Sequence, residues 1–240
     1  MSVIEVTSAS KRYGDLKALD HVDLVVDKGE FFGFLGPNGA GKSTLLRILT
    51  GQLKQDSGRV SVLGIENDKP ISLKRKIGIV PEAETPPSFL NTREYLRLVS
   101  RIRGLDRIDE RIDHWIDFFG IQDRSEVLCK DLSKGQRQKV MLASAFIHEP
   151  RLLFLDEPFI NLDPIFQRKV REYLWTINRD GVTVFMCTHI LEIAEKLCKR
   201  VALINNGKVI GQGSVNELKS SESDDLESVF MRMVEETSYG

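Results

Sequence analysis

The sequence is poor in the residues that hold together disulfide-rich or metal-stabilised folds. It has 3 cysteines, Cys129, Cys187 and Cys198, and no two of them are spaced as CxxC. An odd number without close pairs favours a reducing compartment and three buried thiols over a disulfide framework. The 4 histidines are scattered along the chain, so no metal-ligand cluster is predicted.

An excess of charge of one sign and long apolar runs are also absent. The formal net charge is -1 over 240 residues, which disfavours a nucleic-acid partner because such a partner calls for a basic patch or stripe. No apolar run approaches the roughly 18 residues of a membrane span. The opening "MSVIEVTSAS" lacks the basic and apolar segments of a secretion signal. We therefore expect a cytoplasmic protein that reaches a membrane only through another protein.

The hydrophobic pattern predicts an α/β fold with a parallel sheet. Early in the chain, Val22, Leu24 and Val26 alternate with other residues, which is typical of an antiparallel β subdomain with one buried face. Later strands are continuously apolar and alternate with helices, so both faces of that sheet should be covered. The hairpin at Asn206-Gly207 suits a type I′ turn.

A helical stretch over about residues 85–150 interrupts this alternation and is expected to form a separate lobe. Asn91 and Glu94 suggest a capping box at the start of its first helix. The helix should bury one face, formed by Tyr95, Leu98, Val99 and Ile102. We assign one domain to residues 1–218.

Residues 219–240 are expected to form a polar linker, "KSSESDD", and a short C-terminal helix. Leu226, Val229, Phe230 and Met233 have the spacing of one apolar helix face. That face should pack onto its own domain rather than a membrane, because acidic residues flank it.

A glycine-rich loop between a predicted strand and a predicted helix indicates a phosphate site. "GPNGAGKS" fits G-x-x-x-x-G-K-[ST], and its glycines let consecutive backbone N–H groups converge on phosphates. Lys42 can reach the β- and γ-phosphates, and Ser43 can offer its hydroxyl to Mg²⁺ at a helix N-terminus. The candidate nucleotide-binding residues are Gly36, Pro37, Asn38, Gly39, Ala40, Gly41, Lys42, Ser43 and Thr44.

Two carboxylates, Asp156 and Glu157, end the buried strand of "LLFLDEP". Ligands of open α/β sheets bind beyond the carboxyl ends of strands, so both residues should lie near the glycine loop. Asp156 can hold Mg²⁺, and Glu157 is the better general base for an attacking water. The alternative is that one of them only caps a helix.

Two further candidates carry weaker signals. His189 follows an apolar strand and can contact the γ-phosphate, although a histidine there is more often structural. Tyr13 can stack on a base, although a tyrosine near a strand end usually belongs to the core.

Taken together, the motifs resemble the ATPase cassette of ATP-binding cassette (ABC) transporters. "GPNGAGKST", "LSKGQ", "LLFLDEP", "NLDP" and "TH" occur in this order, and the resemblance spans Ile4 to about Leu218. It implies a P-loop NTPase fold with a RecA-like parallel core, and ATP and Mg²⁺ as cofactors. It also implies that Tyr13 stacks on adenine, Asp163 belongs to the D-loop and His189 is the switch histidine.

The stretch "LSKGQ" is specific to this family among P-loop proteins. The resemblance implies that Ser133, Lys134, Gly135 and Gln136 complete the nucleotide site of a second cassette, arranged head to tail. ATP then joins two cassettes, which are either two copies of this chain or this chain and a paralogue. Hydrolysis removes the γ-phosphate contacts and opens the dimer.

Two positions depart from the common family pattern. Lys134 stands where glycine is usual, which is tolerable if its side chain points to solvent. Glu82 replaces the usual glutamine of the Q-loop; a carboxylate there can still hold Mg²⁺ or water but adds negative charge beside phosphate. The "PE" at Glu82 and the tail "LESVFMRM" resemble cassettes encoded separately from their membrane subunit, often exporters.

The resemblance implies an ATPase subunit that powers a membrane transporter, held at the cytoplasmic face of the membrane by a permease subunit. The alternative is a soluble ABC ATPase that acts on a cytosolic assembly such as an iron–sulfur cluster scaffold. A module on ribosomes or DNA is disfavoured, since the chain has neither two cassettes nor a long coiled coil. Phe89 and Leu90 either face the permease or cap the core of their own lobe.

Overall fold

The computed structural model describes residues 1–66, 70–82, 85–219 and 224–238. Part of the expected polar linker, residues 220–223, lies outside this range. In the described part the strands are β1 (Ser2–Tyr13), β2 (Leu16–Asp27), β3 (Phe31–Leu35), β4 (Ser57–Val62), β5 (Ile65–Glu66), β6 (Ile77–Val80), β7 (Leu152–Asp156), β8 (Thr183–Thr188), β9 (Arg200–Asn205) and β10 (Lys208–Ser214). The helices are α1 (Lys42–Leu49), α2 (Pro70–Lys74), α3 (Thr92–Arg103), α4 (Ile108–Phe119), α5 (Lys134–Phe146), α6 (Pro164–Arg179), α7 (Leu191–Leu197), α8 (Val215–Leu218) and α9 (Leu226–Ser238).

The strands form two sheets. The first is antiparallel, with the order β2-β1-β4-β5, and confirms the predicted N-terminal β subdomain. In β2, Val22, Leu24 and Val26 are buried and Val25 is exposed, as the alternation predicts. The second sheet has the order β10-β9-β3-β8-β7-β6, and its strands are parallel except for β10, which pairs antiparallel with β9.

The β9–β10 hairpin turns at Asn206 and Gly207, both of which have positive φ angles, 47° and 78°. This is the backbone of the predicted type I′ turn.

The strands β3, β7 and β8 are buried along their whole length, which explains why they read as continuous apolar runs. Successive side chains of a strand point to opposite faces. Phe31 and Leu35 accordingly join one hydrophobic cluster, and Phe32 and Phe34 join the other. The second cluster also contains the inner face of the antiparallel sheet and α1, so that sheet packs over one face of the parallel sheet.

The helical stretch packs on the opposite face of the parallel sheet. Its α4 and α5 contribute Ile112, Trp115 and Phe146 to the same cluster as Leu153 of β7. The core of the predicted lobe is therefore continuous with that of the sheet, whereas the sequence suggested a separate lobe.

The first helix of this stretch, α3, confirms one prediction and corrects another. Asn91 and Glu94 form the predicted capping box. The predicted apolar face is wrong at two positions, since Leu98 and Ile102 are exposed while Leu96 and Ser100 are buried. Leu96 and Ser100 lie four residues apart on one face of the helix, and α3 packs against α4 and α5.

The C-terminal helix α9 packs on its own chain, as its apolar face predicts. Leu226 and Val229 are buried, and the helix lies against α7 and β10. The sulfur of Met233 would lie 2.4 Å from a β-carbon at Gly211, so the Met233 side chain of α9 lies directly over this glycine of β10. Across the described ranges, no helix is both long and apolar enough to cross a bilayer.

Candidate functional site

Most of the predicted site residues meet at the carboxyl edge of the parallel sheet. Four adjacent strands, β3, β8, β7 and β6, are followed by the glycine loop, His189, Glu157 and Glu82, respectively. The candidate residues therefore converge because their strands are neighbours in the sheet, although they are far apart in the chain.

The glycine loop is shaped by close backbone approaches. A β-carbon at Gly36 would lie 2.2 Å from the carbonyl oxygen of Ile204, and one at Gly41 would lie 2.4 Å from that of Ala18. Gly41 also has a φ of 113°, which disfavours residues with side chains. The loop then enters α1 at Lys42, with Ser43 and Thr44 in the first helical turn, where backbone N–H groups are free to bind an anion.

The side chain of Lys42 folds back over the loop. Its ammonium group donates hydrogen bonds to the carbonyl oxygens of Gly36, at 2.7 Å, and Pro37, at 3.0 Å. An ammonium group has three donors, so one remains for an incoming phosphate oxygen. The lysine is buried, which fixes the position of its charge beside the loop.

The carboxyl group of Asp156 lies next to the loop, and one of its oxygens lacks a hydrogen-bond partner. It is only 3% exposed, its Oδ1 atom has no hydrogen-bond partner, and it has a hydrogen bond with the Ser43 side chain. Burial raises the pKa of Asp156 to about 6; the charges of Glu82 and Glu157 add to the effect, and the Ser43 hydrogen bond and Lys42 oppose it. A buried carboxylate with an unused oxygen is the environment in which a cation is most strongly favoured.

The donors at this position suit magnesium better than a metal ion that is bound by protein side chains alone. Within the described ranges, no group of three or more His, Cys, Asp or Glu side chains could hold a metal ion. Magnesium is usually bound by one or two carboxylates, waters and substrate phosphates. The assignment of Ser43 and Asp156 as the protein part of such a set stays a prediction.

Glu82 follows β6 and is exposed, and its charge acts on Asp156. It is thus close enough to influence a cation there. Its assignment as a magnesium ligand remains a prediction.

Glu157 is held in a constrained geometry. Its φ angle is 49°, in the left-handed region that a residue with a side chain rarely adopts, and its N–H donates to the Cys187 carbonyl at 2.9 Å. Thr188 Oγ1 donates to Oε2 at 2.8 Å. The backbone N–H of His189 and its ring Nδ1 lie 2.8 and 2.7 Å from Oε1.

These contacts leave Glu157 able to act on water. An ionised carboxylate has about four lone-pair sites, and three of them are used here, so Oε2 retains one. Because a carboxylate only accepts hydrogen bonds, His189 carries a hydrogen on Nδ1, and its side chain is 40% exposed. The alternative role of Glu157, a helix cap, is not seen in the structure, because the next helix, α6, is capped by Asp163.

The signature stretch lies outside this cluster, at the start of α5. The Ser133 hydroxyl accepts from the Gln136 N–H at 3.2 Å, and the Gln136 side chain accepts from the Ser133 N–H at 2.9 Å. Lys134 is exposed to solvent, which is the condition under which a lysine is tolerated where glycine is usual. No hydrogen bond or ion pair joins residues 133–136 to the glycine loop within the part of the chain that the structure describes.

Gly135 is explained by a contact that the sequence did not reveal. A β-carbon there would lie 2.6 Å from the carbonyl oxygen of Asn161, whose own φ angle is 65°. The signature stretch and the segment before α6 are therefore in direct backbone contact. Asp163, in that segment, caps α6 by accepting from the N–H groups of Ile165 and Phe166, both at 3.1 Å.

Tyr13 ends β1 with 45% of its surface exposed, so it is not a core residue. It pairs with Leu16 at the start of β2, and Ala18 of β2 contacts Gly41 of the glycine loop. The ring thus lies on a hairpin beside the loop and is accessible for stacking.

The sequence analysis missed Thr188 as a site residue. Its hydroxyl fixes Glu157 and also accepts from the Ile190 N–H at 3.1 Å. The signal was present in the "TH" pair, because a hydroxyl at the end of a buried strand needs a polar partner. The three cysteines are buried and free, and burial raises the pKa of the Cys187 and Cys198 thiols, so neither is a nucleophile.

Sequence comparisons identify proteins that are related to this chain. A family model described as "ABC transporter" matches residues 19–160. The daunorubicin resistance ATP-binding protein DrrA3 of Streptomyces coeruleorubidus is 36% identical over 234 residues, which cover 96% of this chain and 74% of that protein. The Nod factor export ATP-binding protein I of Sinorhizobium fredii is 37% identical over 218 residues, or 90% of this chain and 64% of that protein.

Solved structures agree with the fold. The ATP-binding subunit of an ABC transporter superimposes with a TM-score of 0.89 at 30% identity, over 97% of this chain and 99% of that one. A dimeric ATP-binding cassette in a post-hydrolysis state, bound to ADP and phosphate, superimposes with a TM-score of 0.82 at 25% identity, over 88% and 98% of the two chains.

Proposed function

This chain belongs to the ABC transporter family, and we propose that Glu157 is the base with which it hydrolyses ATP between two head-to-tail copies. It is an ATP-binding, ATP-hydrolysing transporter subunit. The names of its relatives favour this function over that of a soluble ATPase on a cytosolic assembly. The observation that carries the proposal is the fixed Glu157 carboxylate beside the unsatisfied Asp156 and the glycine loop.

In the proposed reaction, this chain positions the phosphates and the water. The N–H groups of the loop and the third donor of Lys42 bind the phosphate oxygens. The free lone pair of Glu157 Oε2 accepts a proton from the attacking water, while Thr188 and His189 keep the carboxylate in place. With a second proton on Nε2, His189 would donate to the γ-phosphate while its Nδ1 keeps the hydrogen bond to Glu157.

A magnesium ion is the second part of the proposal. Ser43 and Asp156 would hold it, with Glu82 near enough to act through water. When bound, magnesium neutralises charge on the β- and γ-phosphates. Its binding also removes the cost of an ionised, unpaired Asp156.

The dimer follows from the separation of the signature stretch from the loop within one copy. Ser133, the Gly135 N–H and the N-terminus of α5 form an anion-binding surface with no phosphate site of its own. A second copy supplies that site, in keeping with the dimeric state of a similar cassette. When ATP binds, the Ser133 hydroxyl turns its hydrogen toward the γ-phosphate of the partner copy while its oxygen continues to cap α5.

The experiment that tests this function is the Glu157→Gln variant. Loss of a general base typically reduces the rate about 10²–10⁴-fold, so the variant should bind MgATP yet nearly stop turnover. With ATP it should sediment as a dimer, and with ADP as a monomer. Addition of Ser133→Arg should abolish that dimer without loss of ATP binding by the monomer. Near-normal turnover of Glu157→Gln would refute the role of Glu157, and a dimer that survives Ser133→Arg would refute the head-to-tail arrangement.

We further propose that a permease subunit holds the chain at the cytoplasmic face of the membrane. Phe89 is 75% exposed in the loop before α3, and Leu98 and Ile102 are exposed on α3 itself. Exposed apolar residues grouped on one part of a surface indicate an interaction site. One of the two relatives is named for export, and we propose the same direction of transport for this subunit. Inside-out vesicles test it, since export predicts ATP-dependent uptake of substrate and import predicts release.

A further inference from the structure

An apolar groove lies between the glycine loop and the C-terminal helix. One wall is formed by residues 36–38 of the loop and by His189, and the other by Phe230 and Met231 of α9. Ile190 and Leu191 complete the apolar lining, and the volume is 580 Å³, enough for an apolar side chain. Met231 is 54% exposed although it lies among apolar neighbours, so the groove has an open apolar rim.

The head-to-tail dimer determines which surface lies opposite this groove. The groove shares the glycine loop with the nucleotide site, and that loop faces the signature stretch of the second copy. In each copy, Gly135 of the signature contacts Asn161, so the second copy presents both segments as one surface. Four residues beyond Asn161, in the first turn of α6, Ile165 is 77% exposed.

The charges around the two apolar features are complementary. The groove is flanked by Glu192 and Glu227. Glu192 pairs with Lys196, whereas Glu227 has no hydrogen bond or ion pair within the described ranges. The opposite surface carries the exposed Lys134, which is likewise without an ion pair in the described part of the chain. Arg168, three residues after Ile165, adds positive charge there but pairs with Glu172 of its own helix. Such complementarity orients two surfaces and favours one register over others.

We propose that the groove between the glycine loop and α9 receives Ile165 of a second copy of this chain in the ATP-bound dimer. The inference rests on the proposed head-to-tail function and extends it to the C-terminal helix. Each two-fold dimer contains the contact twice, once beside each nucleotide. The position of α9 thereby becomes part of the ATP-driven closure, and Lys134 faces acidic side chains instead of solvent.

The test measures ATP-dependent dimerisation by sedimentation in the Glu157→Gln background. Ile165→Asp and Met231→Lys should each weaken the dimer by at least roughly tenfold, because two apolar contacts per dimer are lost. Both positions are exposed, and an acidic residue in the first turn of α6 suits the helix dipole, so folding should be retained. The double variant places opposite charges in contact and should recover most of the lost affinity.

Matched controls separate this contact from general effects of charge. Ile102→Asp makes the same change at an isoleucine that is 65% exposed on α3, and Glu235→Lys places a lysine at another exposed position of α9, with an even larger change of charge than Met231→Lys. Both should dimerise like the parent. An unchanged dimer in Met231→Lys, or a double variant as weak as the two single changes combined, would overturn the inference. A Glu157→Gln parent that fails to dimerise with ATP would instead contradict the proposed function itself.

Discussion

Replacement of Asp156 by asparagine should make the nucleotide-free protein more stable while it impairs the enzyme. At neutral pH the ionised Asp156 is buried with one oxygen unpaired, next to the charges of Glu82 and Glu157. The rise of its pKa from 3.8 to about 6 corresponds to about 3 kcal/mol of destabilisation by the ionised form. Asparagine has nearly the same shape and can keep the Ser43 contact, but it carries no charge.

The sign of the pH dependence follows from the direction of the shift. Between pH 3.8 and about 6 the folded state binds this proton more tightly than the unfolded chain, so stability falls as pH rises through this window. Above about pH 6 the full cost is present. The Asp156→Asn variant should therefore exceed the parent by up to about 3 kcal/mol at pH 7.5 and by little near pH 4.

Urea unfolding of both proteins without nucleotide, at several pH values between 4 and 8, measures this difference. Asp123→Asn, which makes the same change at an exposed carboxylate, is the control and should follow the parent at every pH. The reasoning is refuted if the advantage of Asp156→Asn is independent of pH or grows as the pH falls. In the same variant, added magnesium should no longer raise ATP affinity, because the cation has lost its charged ligand.

Three other predictions address the stacking of Tyr13 on adenine, the buried His148 and the membrane partner. Tyr13→Ala should lose about 1–3 kcal/mol of ATP affinity and Tyr13→Trp should keep most of it, by titration calorimetry, whereas equal affinities would exclude stacking. The pKa of His148 is lowered to about 4 by burial and by Arg103, so its contribution to stability is present above pH 6.5 and is lost as the pH falls toward 4. In urea unfolding, the loss of stability between pH 6.5 and 4 should therefore be about 3 kcal/mol smaller in His148→Gln than in the parent. An equal loss in both proteins would contradict this. Phe89→Asp with Leu90→Asp should keep ATPase activity and thermal stability but release the protein from membranes that contain its permease; retention on those membranes, or unfolding, would argue against a docking role.

Much of the site could be predicted from sequence because it consists of short motifs at strand ends. The glycine loop, Asp156, Glu157 and His189 each follow a buried apolar strand, and parallel strands bring their carboxyl ends to one edge. The spatial order of the strands could not be read from the chain, so the role of Thr188 between Glu157 and the loop was missed. The contact of Gly135 with Asn161 joins two backbones, and backbone contacts leave little trace in side-chain patterns.

The predictions for the helical stretch show a second limit of sequence patterns. Leu98 and Ile102 match a helical period, but the pattern cannot distinguish a face turned to the core from one turned to a partner. The face that is buried instead contains Leu96 and the small Ser100. Apolar residues outside that buried face are then candidates for an interface between proteins.

The costs at Asp156 and Glu157 also bear on how strongly the chain binds its nucleotide. A left-handed backbone at Glu157 and an unpaired charge at Asp156 both cost stability in the nucleotide-free chain. In the proposed function, magnesium with ATP would relieve the second cost, so part of the binding energy would come from removal of a penalty already present in the fold. A single copy already gains this relief when it binds the nucleotide, so the relief favours the bound chain over the free chain. Closure needs a difference in affinity between the open and closed states, and in the proposed dimer that difference comes from the contacts that the second copy adds.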